Sequence, residues 1–291
     1  MLFAITGITG QVGGAVARTL IAQGQRVRAV VRSAEKGAAW ARQGCEVAIA
    51  ELGDAAALTQ AFTGVQGVFF VLPPVFDPAP GFGEALRVIA AVREALEAAR
   101  PGKLVSLSTI GAQALQPNLL QQHGLQEQSL GSLPLPVTFL RAAWFMENAQ
   151  WDLDAARATG VVPSYLQPLD KPVPMVATED IGRLAADLLQ ETWQGRRVVE
   201  LESARLAPRD IAASFSRVLG RDVRMEAVPR ETWEALFTAQ GMKNPLPRMQ
   251  MLDGFNEGWI SFEGDAASVR QGTVSIDAVL QGLVARSAAI Q

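Results

Sequence analysis

The chain has 291 residues, of which 49% are hydrophobic and 19% charged, and its formal net charge at pH 7 is −3. This composition is typical of a packed globular protein and excludes a disordered one. Because there is no basic block, the charge gives no electrostatic basis for binding nucleic acid. The single cysteine, Cys45, excludes an internal disulfide and a thiolate metal cluster, and its position just before a strand favours a small buried side chain.

No apolar run reaches the length of a membrane span, so no membrane contact is expected. The first apolar run begins at residue 2, which leaves no room for a cleaved leader, and a cytoplasmic location is expected. No His, Cys or carboxylate grouping has metal-ligand spacing, and no G-x-S-x-G or Ser-His-Asp arrangement is present. The sequence therefore predicts neither a metal site nor a hydrolase.

The N-terminus combines a strand, a glycine-rich turn and a helix. Leu2–Ile5 is a short apolar run, and helical spacing continues from Val12 to Ile21. The glycines between them allow a sharp turn, a close approach of backbone N–H groups to a pyrophosphate, and tight packing of the helix on the strand. An anion would rest on the positive end of this helix. The predicted cofactor-binding residues here are Gly7, Thr9, Gly10, Gln11 and Val12.

Strands and helices then alternate as far as residue 141. The predicted strands are Arg26–Val31, Val47–Ala50, Gly67–Leu72, Lys103–Leu107 and Val137–Arg141, and the predicted helices are Glu35–Arg42, Ala55–Phe62 and Gly83–Arg100. Right-handed crossovers place such helices on both faces of a parallel sheet. The predicted fold class is therefore α/β, with a Rossmann-type doubly wound parallel sheet.

After Arg141 the alternation loosens and prolines cluster between residues 163 and 174. Helices are predicted at Glu179–Gln190 and Pro208–Leu219, with a strand at Arg197–Leu201 between them. We expect a dinucleotide-binding domain over residues 1–150 and a smaller, mainly helical substrate lobe over 151–291, with 175–202 returning to the sheet. Ligands of open α/β sheets bind at the carboxyl edge of the strands, so this lobe would cover the crevice.

The residue at the tip of the second strand distinguishes NAD from NADP. An acidic residue there would bind the ribose 2′-hydroxyl of NAD, whereas this strand ends in Val31-Arg32. A guanidinium suits a 2′-phosphate through bidentate, charge-assisted hydrogen bonds. Arg32 therefore favours NADP(H), and Lys36 adds a second positive charge. The alternative is an exposed arginine that pairs with Glu35.

Asp54, after the third strand, has two candidate roles. Its carboxylate could lie beside the adenine amino group of the cofactor, or it could be the N-cap of the helix that begins at Ala55. Both roles can hold together.

Several segments resemble the NmrA-like family of atypical short-chain dehydrogenases. They are Thr6-Gly-Ile-Thr-Gly-Gln-Val-Gly13, Val31-Arg32, Gly53-Asp54, Gly64-Val-Gln-Gly-Val-Phe-Phe-Val-Leu-Pro-Pro74, Ser106-Leu-Ser-Thr-Ile-Gly-Ala112, Leu140-Arg-Ala-Ala-Trp-Phe-Met-Glu-Asn148, Val218-Leu-Gly-Arg-Asp-Val223 and Gly241-Met242. The resemblance implies a Rossmann domain that binds NADP(H), with Leu72, Pro73 and Ser108 also at the cofactor. The family includes reductases of quinones, dyes and phenolic compounds, and also proteins that sense the redox state of the cofactor without turnover.

The catalytic pair of typical short-chain dehydrogenases is missing. They use a Tyr-x-x-x-Lys pair, in which the lysine lowers the tyrosine pKa. The only tyrosine here, Tyr165, lies far past the expected helix, and the resemblance places Leu119 and His123 at the two positions. In the quinone and dye reductases of the family a His-x-x-x-Glu motif is common at this place, which makes His123 the candidate catalytic residue. It could contact the nicotinamide or supply a proton, since imidazole titrates near neutrality. The alternative is an ordinary hydrogen-bonded histidine.

Four aromatic residues are predicted to line the substrate pocket. Phe76 and Phe82 lie in the loop after the fourth strand, and Trp144 and Phe145 follow the sixth. They could equally pack against the second lobe.

The sequence therefore predicts an NADPH-dependent reductase of quinones or similar conjugated aromatic compounds. Hydride reduction of a quinone needs little help from an acid, because the charge of the product spreads over an aromatic ring. The alternative is a catalytically silent NADP-dependent regulator of a partner protein. Whether the chain forms a homodimer stays open at this stage.

Overall fold

A computed structural model of the protein describes residues 1–289. Its strands are β1 (Leu2–Ile5), β2 (Arg26–Val31), β3 (Glu46–Ile49), β4 (Gly67–Phe70), β5 (Leu104–Thr109), β6 (Val137–Ala142), β7 (Trp144–Phe145), β8 (Val161–Ser164), β9 (Val173–Val176), β10 (Arg196–Glu202), β11 (Ala204–Leu206), β12 (Arg224–Ala227) and β13 (Arg270–Gln271). The helices are α1 (Gln11–Ala22), α2 (Ala34–Ala41), α3 (Ala55–Phe62), α4 (Gly83–Ala99), α5 (Gln121–Leu130), α6 (Leu153–Ala158), α7 (Thr178–Gln190), α8 (Pro208–Leu219), α9 (Trp233–Ala239), α10 (Leu246–Glu257) and α11 (Ile276–Ala289).

Eight strands form one parallel sheet in the order β3-β2-β1-β4-β5-β6-β10-β13. The chain reverses its direction of strand addition at β1, which pairs with β2 on one side and β4 on the other. This confirms the predicted doubly wound parallel sheet. A crevice for a ligand forms at such a switch point, beyond the carboxyl ends of the strands.

Helices cover both faces of this sheet, which explains why β4 is apolar throughout. Phe69 and Phe70 on β4 point to opposite faces, and each is 0% exposed. Both are core residues, as predicted. Cys45 is also buried, and desolvation raises the pKa of its thiol, so it acts as a small apolar side chain.

The helices α1 and α7 lie side by side on one face. A Cβ on Gly182 would lie 2.3 Å from Cβ of Ala15, so only glycine permits this approach. The pair joins residues that are far apart in sequence, and it places α7 and β10 with the large sheet.

The remaining elements form a lobe with its own core, which includes Trp233, Phe215 and Phe237. This lobe contains two small sheets that the sequence analysis did not predict, β11-β9-β7 and β12-β8. The strands are two to four residues long and two of them contain a proline, Pro163 and Pro174. Such short, proline-interrupted strands carry no clear alternation, so a mainly helical lobe was the expected result.

Within residues 1–289, no helix has both the length and the apolar character needed to cross a bilayer.

Candidate cofactor and substrate site

The glycine turn after β1 is held in a single shape. Gly7 has a φ of +60°, and its carbonyl oxygen accepts a hydrogen bond of 2.9 Å from the N–H of Gly10. A Cβ on Gly13 would lie 2.3 Å from the same oxygen, so only glycine allows the helix to start this close to the strand. Thr6 fixes the base of the turn, because its hydroxyl donates to the Phe69 carbonyl and accepts from the N–H of Val71.

The N-terminus of α1 is open toward the crevice. Its N-cap is Gly10, and no side chain caps the helix. Gly7, Thr9, Gly10 and Gln11 are exposed, whereas the Val12 side chain is buried in the core and has only its backbone to offer a ligand. The first N–H groups of α1 are therefore available to an anion, and the arrangement fits the pyrophosphate of a dinucleotide.

Arg32 lies at the carboxyl end of β2 and is exposed. Ser33 caps α2 by accepting a hydrogen bond from the N–H of Lys36. Within residues 1–289, Arg32 forms no ion pair with Glu35, which was the alternative for this residue. Glu46 on the adjacent strand β3 pairs with Arg26 and Arg28. The guanidinium is thus free to meet a phosphate at the start of a helix.

Asp54 is the N-cap of α3, since its Oδ1 accepts a hydrogen bond of 3.0 Å from the N–H of Ala57. The capping role is confirmed, and a contact with adenine stays a prediction.

Beyond β4, the side chain of Leu72 is 3% exposed and packs in the core, while Pro73 is exposed. Only the backbone of Leu72 can therefore face a cofactor in the crevice.

A buried cluster of charges lies under α5. Ser108, Arg141 and Glu200 stand side by side on β5, β6 and β10, because the parallel register makes them direct neighbours. Glu127 on α5 accepts hydrogen bonds from Nε (2.9 Å) and Nη2 (2.8 Å) of Arg141, and from the Ser108 hydroxyl (2.7 Å). The Ser108 hydroxyl is therefore engaged with Glu127, and a contact of Ser108 with the cofactor stays a prediction.

The cluster is completed from the far end of the chain. Nη1 of Arg141 lies 2.7 Å from Oε2 of Glu263 and 3.7 Å from Oε1 of Glu200, while Glu200 accepts the N–H groups of Glu263 and Gly264. Burial alone would lower the pKa of Arg141, but the hydrogen bonds and charges of Glu127 and Glu263 raise it above its ordinary value. Arg141 thus stays charged and holds α5 and residues 263–264 on the sheet.

His123 lies one turn before Glu127 on α5. Its ring is partly accessible, but its Nδ1 is buried and has no hydrogen-bond partner within residues 1–289. Burial lowers the pKa of His123 to about 4, although Gln126 and Glu127 act in the opposite direction. The imidazole is therefore neutral near pH 7, with one N–H donor and one acceptor nitrogen. It can orient a carbonyl or amide, but it does not carry the additional proton of a general acid.

The position proposed for the missing tyrosine is apolar in the structure. Leu119 is 2% exposed, and its N–H donates to the Pro247 carbonyl at the start of α10. Tyr165 packs on Trp233 and Phe237 in the lobe, with ring centroids 5.5 and 5.0 Å apart. Leu119 carries no acidic group, and the ring of Tyr165 packs against the core of the lobe.

The four predicted pocket aromatics lie in different settings. Phe76 is 45% exposed and meets the edge of Trp151, while Phe82 borders a small recess with Val75 and Gln122. Trp144 packs edge-to-face on Phe255 of α10, with ring centroids 5.1 Å apart. Phe145 is half-buried against the core of the sheet. Phe76 and Trp144 thus already contact the lobe, and a role in substrate binding stays a prediction for all four.

Sequence reasoning missed the charge cluster around Arg141. A signal was present, since Arg141 is the single charged residue of β6 and lies near the carboxyl end of that strand. Charges inside buried strands are almost always paired. The identity of the partners required the register of the sheet.

Comparison with known proteins agrees with this architecture. The model of the NmrA-like family matches residues 2–259. A (4-alkanoyl-5-oxo-2,5-dihydrofuran-3-yl)methyl phosphate reductase of Streptomyces griseus is 30% identical over 84% of this chain and 82% of its own. Quinone oxidoreductase 2 of Escherichia coli is 26% identical over 85% of each chain. The crystal structure of the NADPH complex of that NADPH-dependent quinone oxidoreductase has the same fold, with a TM-score of 0.80 at 24% identity, covering 98% of this chain and 100% of that one. The chain belongs to the NmrA-like family.

Proposed function

We propose that the protein is an NADPH-dependent reductase that transfers a hydride to quinones or similar conjugated aromatic compounds. The observations that carry the proposal are the uncapped N-terminus of α1, which follows β1, and the neutral imidazole of His123 on α5, which follows β5, so that both lie beyond the carboxyl edge of one parallel sheet. Leu119 and His123 stand where a tyrosine and a lysine would form the usual catalytic pair. Such a site can bind and orient a cofactor and an acceptor, but it offers no strong acid.

The cofactor half of the site rests on α1 and β2. The open N–H groups of α1 would hold the pyrophosphate, and Arg32 at the tip of β2 would bind the 2′-phosphate. The cofactor, when bound, supplies the hydride. All other contributions come from residues of the chain, which hold the acceptor in line and keep water away from it.

The acceptor half suits a molecule whose reduction needs no protein acid. A quinone accepts a hydride and becomes a hydroquinone anion, whose charge spreads over the ring and which takes its proton from water. His123, as a neutral donor, would bind one carbonyl oxygen or the nicotinamide amide. Ketone reduction would instead leave a localised alkoxide, for which this site has no proton donor.

The relatives support this chemistry. The Escherichia coli relative is named a quinone oxidoreductase, and the Streptomyces relative is a reductase of an unsaturated ring conjugated to carbonyl groups. Both kinds of acceptor have an electron-poor conjugated system that can take up a hydride.

The direct test is oxidation of NADPH, followed at its absorbance band, on addition of 1,4-benzoquinone and a panel of quinones and dyes. Turnover well above the reaction without protein is the expected result. Tight NADPH binding with no turnover across the panel would contradict a reductase and would favour the redox-sensor function. Nothing in the described residues favours that function over the reductase.

The role of Arg32 is open to a separate test. The substitution Arg32→Ala should weaken NADPH binding by about 1.5–3 kcal/mol, because a hydrogen-bonded charge pair is lost, and should leave NADH binding nearly unchanged. Isothermal titration calorimetry with both cofactors measures the difference. Arg42→Ala, which removes an exposed arginine at the other end of α2, is the matched control. Equal losses for NADPH and NADH would show that Arg32 does not bind the 2′-phosphate.

A further inference from the structure

An arginine occupies the apolar face of a helix in the lobe. On α10, Met251, Leu252 and Phe255 are each less than 10% exposed and form its buried stripe. Arg248 lies three, four and seven residues before them, so it continues the same stripe by one turn. An apolar side chain is expected at such a position, and a long cation needs a reason to be there.

Arg248 is half-buried and its guanidinium lies over an aromatic ring. Its central carbon lies 4.6 Å from the ring centroid of Phe237, and Nη1 lies 3.8 Å from Sδ of Met242. Burial lowers its pKa from the ordinary value of arginine. Stacking on an aromatic ring leaves the edge of the guanidinium plane, with its N–H donors, available to a planar or tetrahedral oxyanion.

No carboxylate of residues 1–289 forms an ion pair with Arg248, and a second stacked arginine in the same lobe provides the contrast. Arg230 lies 4.8 Å from the ring centroid of Trp233, and Asp253 accepts hydrogen bonds of 2.6 and 2.7 Å from it. The lobe thus neutralises one stacked arginine internally and leaves the charge of the other uncompensated by the described part of the chain.

Arg248 is also close to the segments that border the crevice. The carbonyl of Pro247, the preceding residue, accepts the N–H of Leu119, four residues before His123. On the other side, Asp77 in the loop after β4 accepts the N–H groups of Lys243 and Asn244, just after Met242. The start of α10 is therefore fastened both to the start of α5 and to the loop that carries Phe76 and Phe82.

We propose that Arg248 binds an anionic substituent of the substrate, a carboxylate, sulfonate or phosphate group attached to the conjugated acceptor. This inference rests on the proposed function and specifies its substrate class. The oxyanion would replace the missing carboxylate partner, and its bond to the rigid guanidinium would fix the orientation of the ring to be reduced. Replacement of an unpaired, partly desolvated charge by an apolar residue should not reduce the stability of the lobe.

The test compares 1,4-naphthoquinone with 1,4-naphthoquinone-2-sulfonate in the wild type and in Arg248→Leu. We expect the substitution to lower kcat/KM for the sulfonate relative to the neutral quinone by about 10- to 100-fold, since a charge-assisted hydrogen-bond pair is lost. Comparing the ratio between proteins cancels the intrinsic reactivity of the two quinones. Arg248→Lys keeps the charge without the planar fork, so its ratio of kcat/KM values should lie between those of the wild type and Arg248→Leu. Arg209→Gln removes an exposed arginine of the lobe, and its ratio should match that of the wild type.

Binding of naphthalene-2-sulfonate, measured by calorimetry, gives a readout without turnover. Binding that is lost in Arg248→Leu, with NADPH affinity unchanged and a melting temperature no lower than that of the wild type, supports the inference. If no quinone is reduced but naphthalene-2-sulfonate binds the wild type and not Arg248→Leu, the reductase proposal fails and the anion site stands. If both quinones are reduced and their ratio is the same in all four proteins, the anion site is wrong and the reductase stands. A loss of NADPH affinity in Arg248→Leu would assign the arginine to the cofactor and overturn the inference.

Discussion

Arg141→Met should destabilise the protein by about 3–5 kcal/mol at pH 7, the range expected when one partner of a buried ion pair is removed. The side chains of Arg141, Glu127 and Glu200 are 3%, 5% and 7% exposed. Methionine fills much of the same volume, so the loss is electrostatic: Glu127 and Glu200 stay buried without the cation they share, and Glu127 keeps only a 3.7 Å contact with the half-exposed Arg196. Urea unfolding followed by tryptophan fluorescence measures the change.

A matched control separates the buried members of this cluster from its exposed member. Glu263→Gln removes a carboxylate that is 63% exposed, and we expect a loss of less than about 1 kcal/mol. Equal losses for Arg141→Met and Glu263→Gln would contradict a buried charge cluster.

His123 should make the wild type more sensitive to acid than His123→Gln. The folded-state pKa of His123 is about 4, below its ordinary value of 6.5, so the unfolded chain binds the proton more readily. The stabilising effect is present above pH 6.5 and is lost as the pH falls toward 4. Relative to His123→Gln, the wild type should lose about 2 kcal/mol between pH 7 and pH 5, and about 3 kcal/mol by pH 4.

Parallel urea titrations of the two proteins at each pH provide the measurement. Comparing them removes the contributions of other buried acids, such as Asp152, whose pKa burial raises to about 7. Parallel curves for the two proteins would show that His123 is protonated near pH 6.5 in the folded state, and would restore it as a candidate general acid. The same neutrality predicts that quinone reduction loses no rate as the pH rises through 6.5; a general acid with the ordinary pKa of histidine would show that loss, and His123→Gln would abolish it.

Most of the sheet was predictable because its signals are local. The bounds of β1, β2, α3 and α8 agree with prediction to the residue, and those of the other predicted elements differ by one or two. The edge strand β13 was not predicted, because its two residues give no pattern of their own. Each is a continuous apolar run or a helical period bounded by glycine, proline or a capping residue. The small strands of the lobe were not predictable in this way. β8 pairs with β12 across some sixty residues, and this pairing, more than the composition of either strand, forms the sheet.

The residues of the candidate site show the same difference between local signals and tertiary contacts. Gly7, Gly13 and Arg32 were found from sequence, because a turn and the residue that ends a strand depend on neighbours in the chain. The hydrogen bond between Ser108 and Glu127 was not predictable, because a sequence does not show which helix covers the end of a strand. The sequence analysis did not single out Arg248, because its contact with the ring of Phe237 and its place on the buried face of α10 depend on the tertiary structure.

The sequence alone thus determined the parallel sheet, the glycine turn, the basic residue at the tip of β2 and the absence of the tyrosine–lysine pair, all of which are properties of short segments. The tertiary structure decided which groups are buried and what they pair with: burial lowers the pKa of His123, Arg141 pairs with Glu127 of α5 and with Glu263, and the stacked Arg248 has no carboxylate partner within residues 1–289. The physical reason is that burial and charge pairing depend on groups brought together from distant parts of the chain. The first set of properties fits a dinucleotide-binding fold, and the second supplies the side chains on which the proposed choice of acceptor rests.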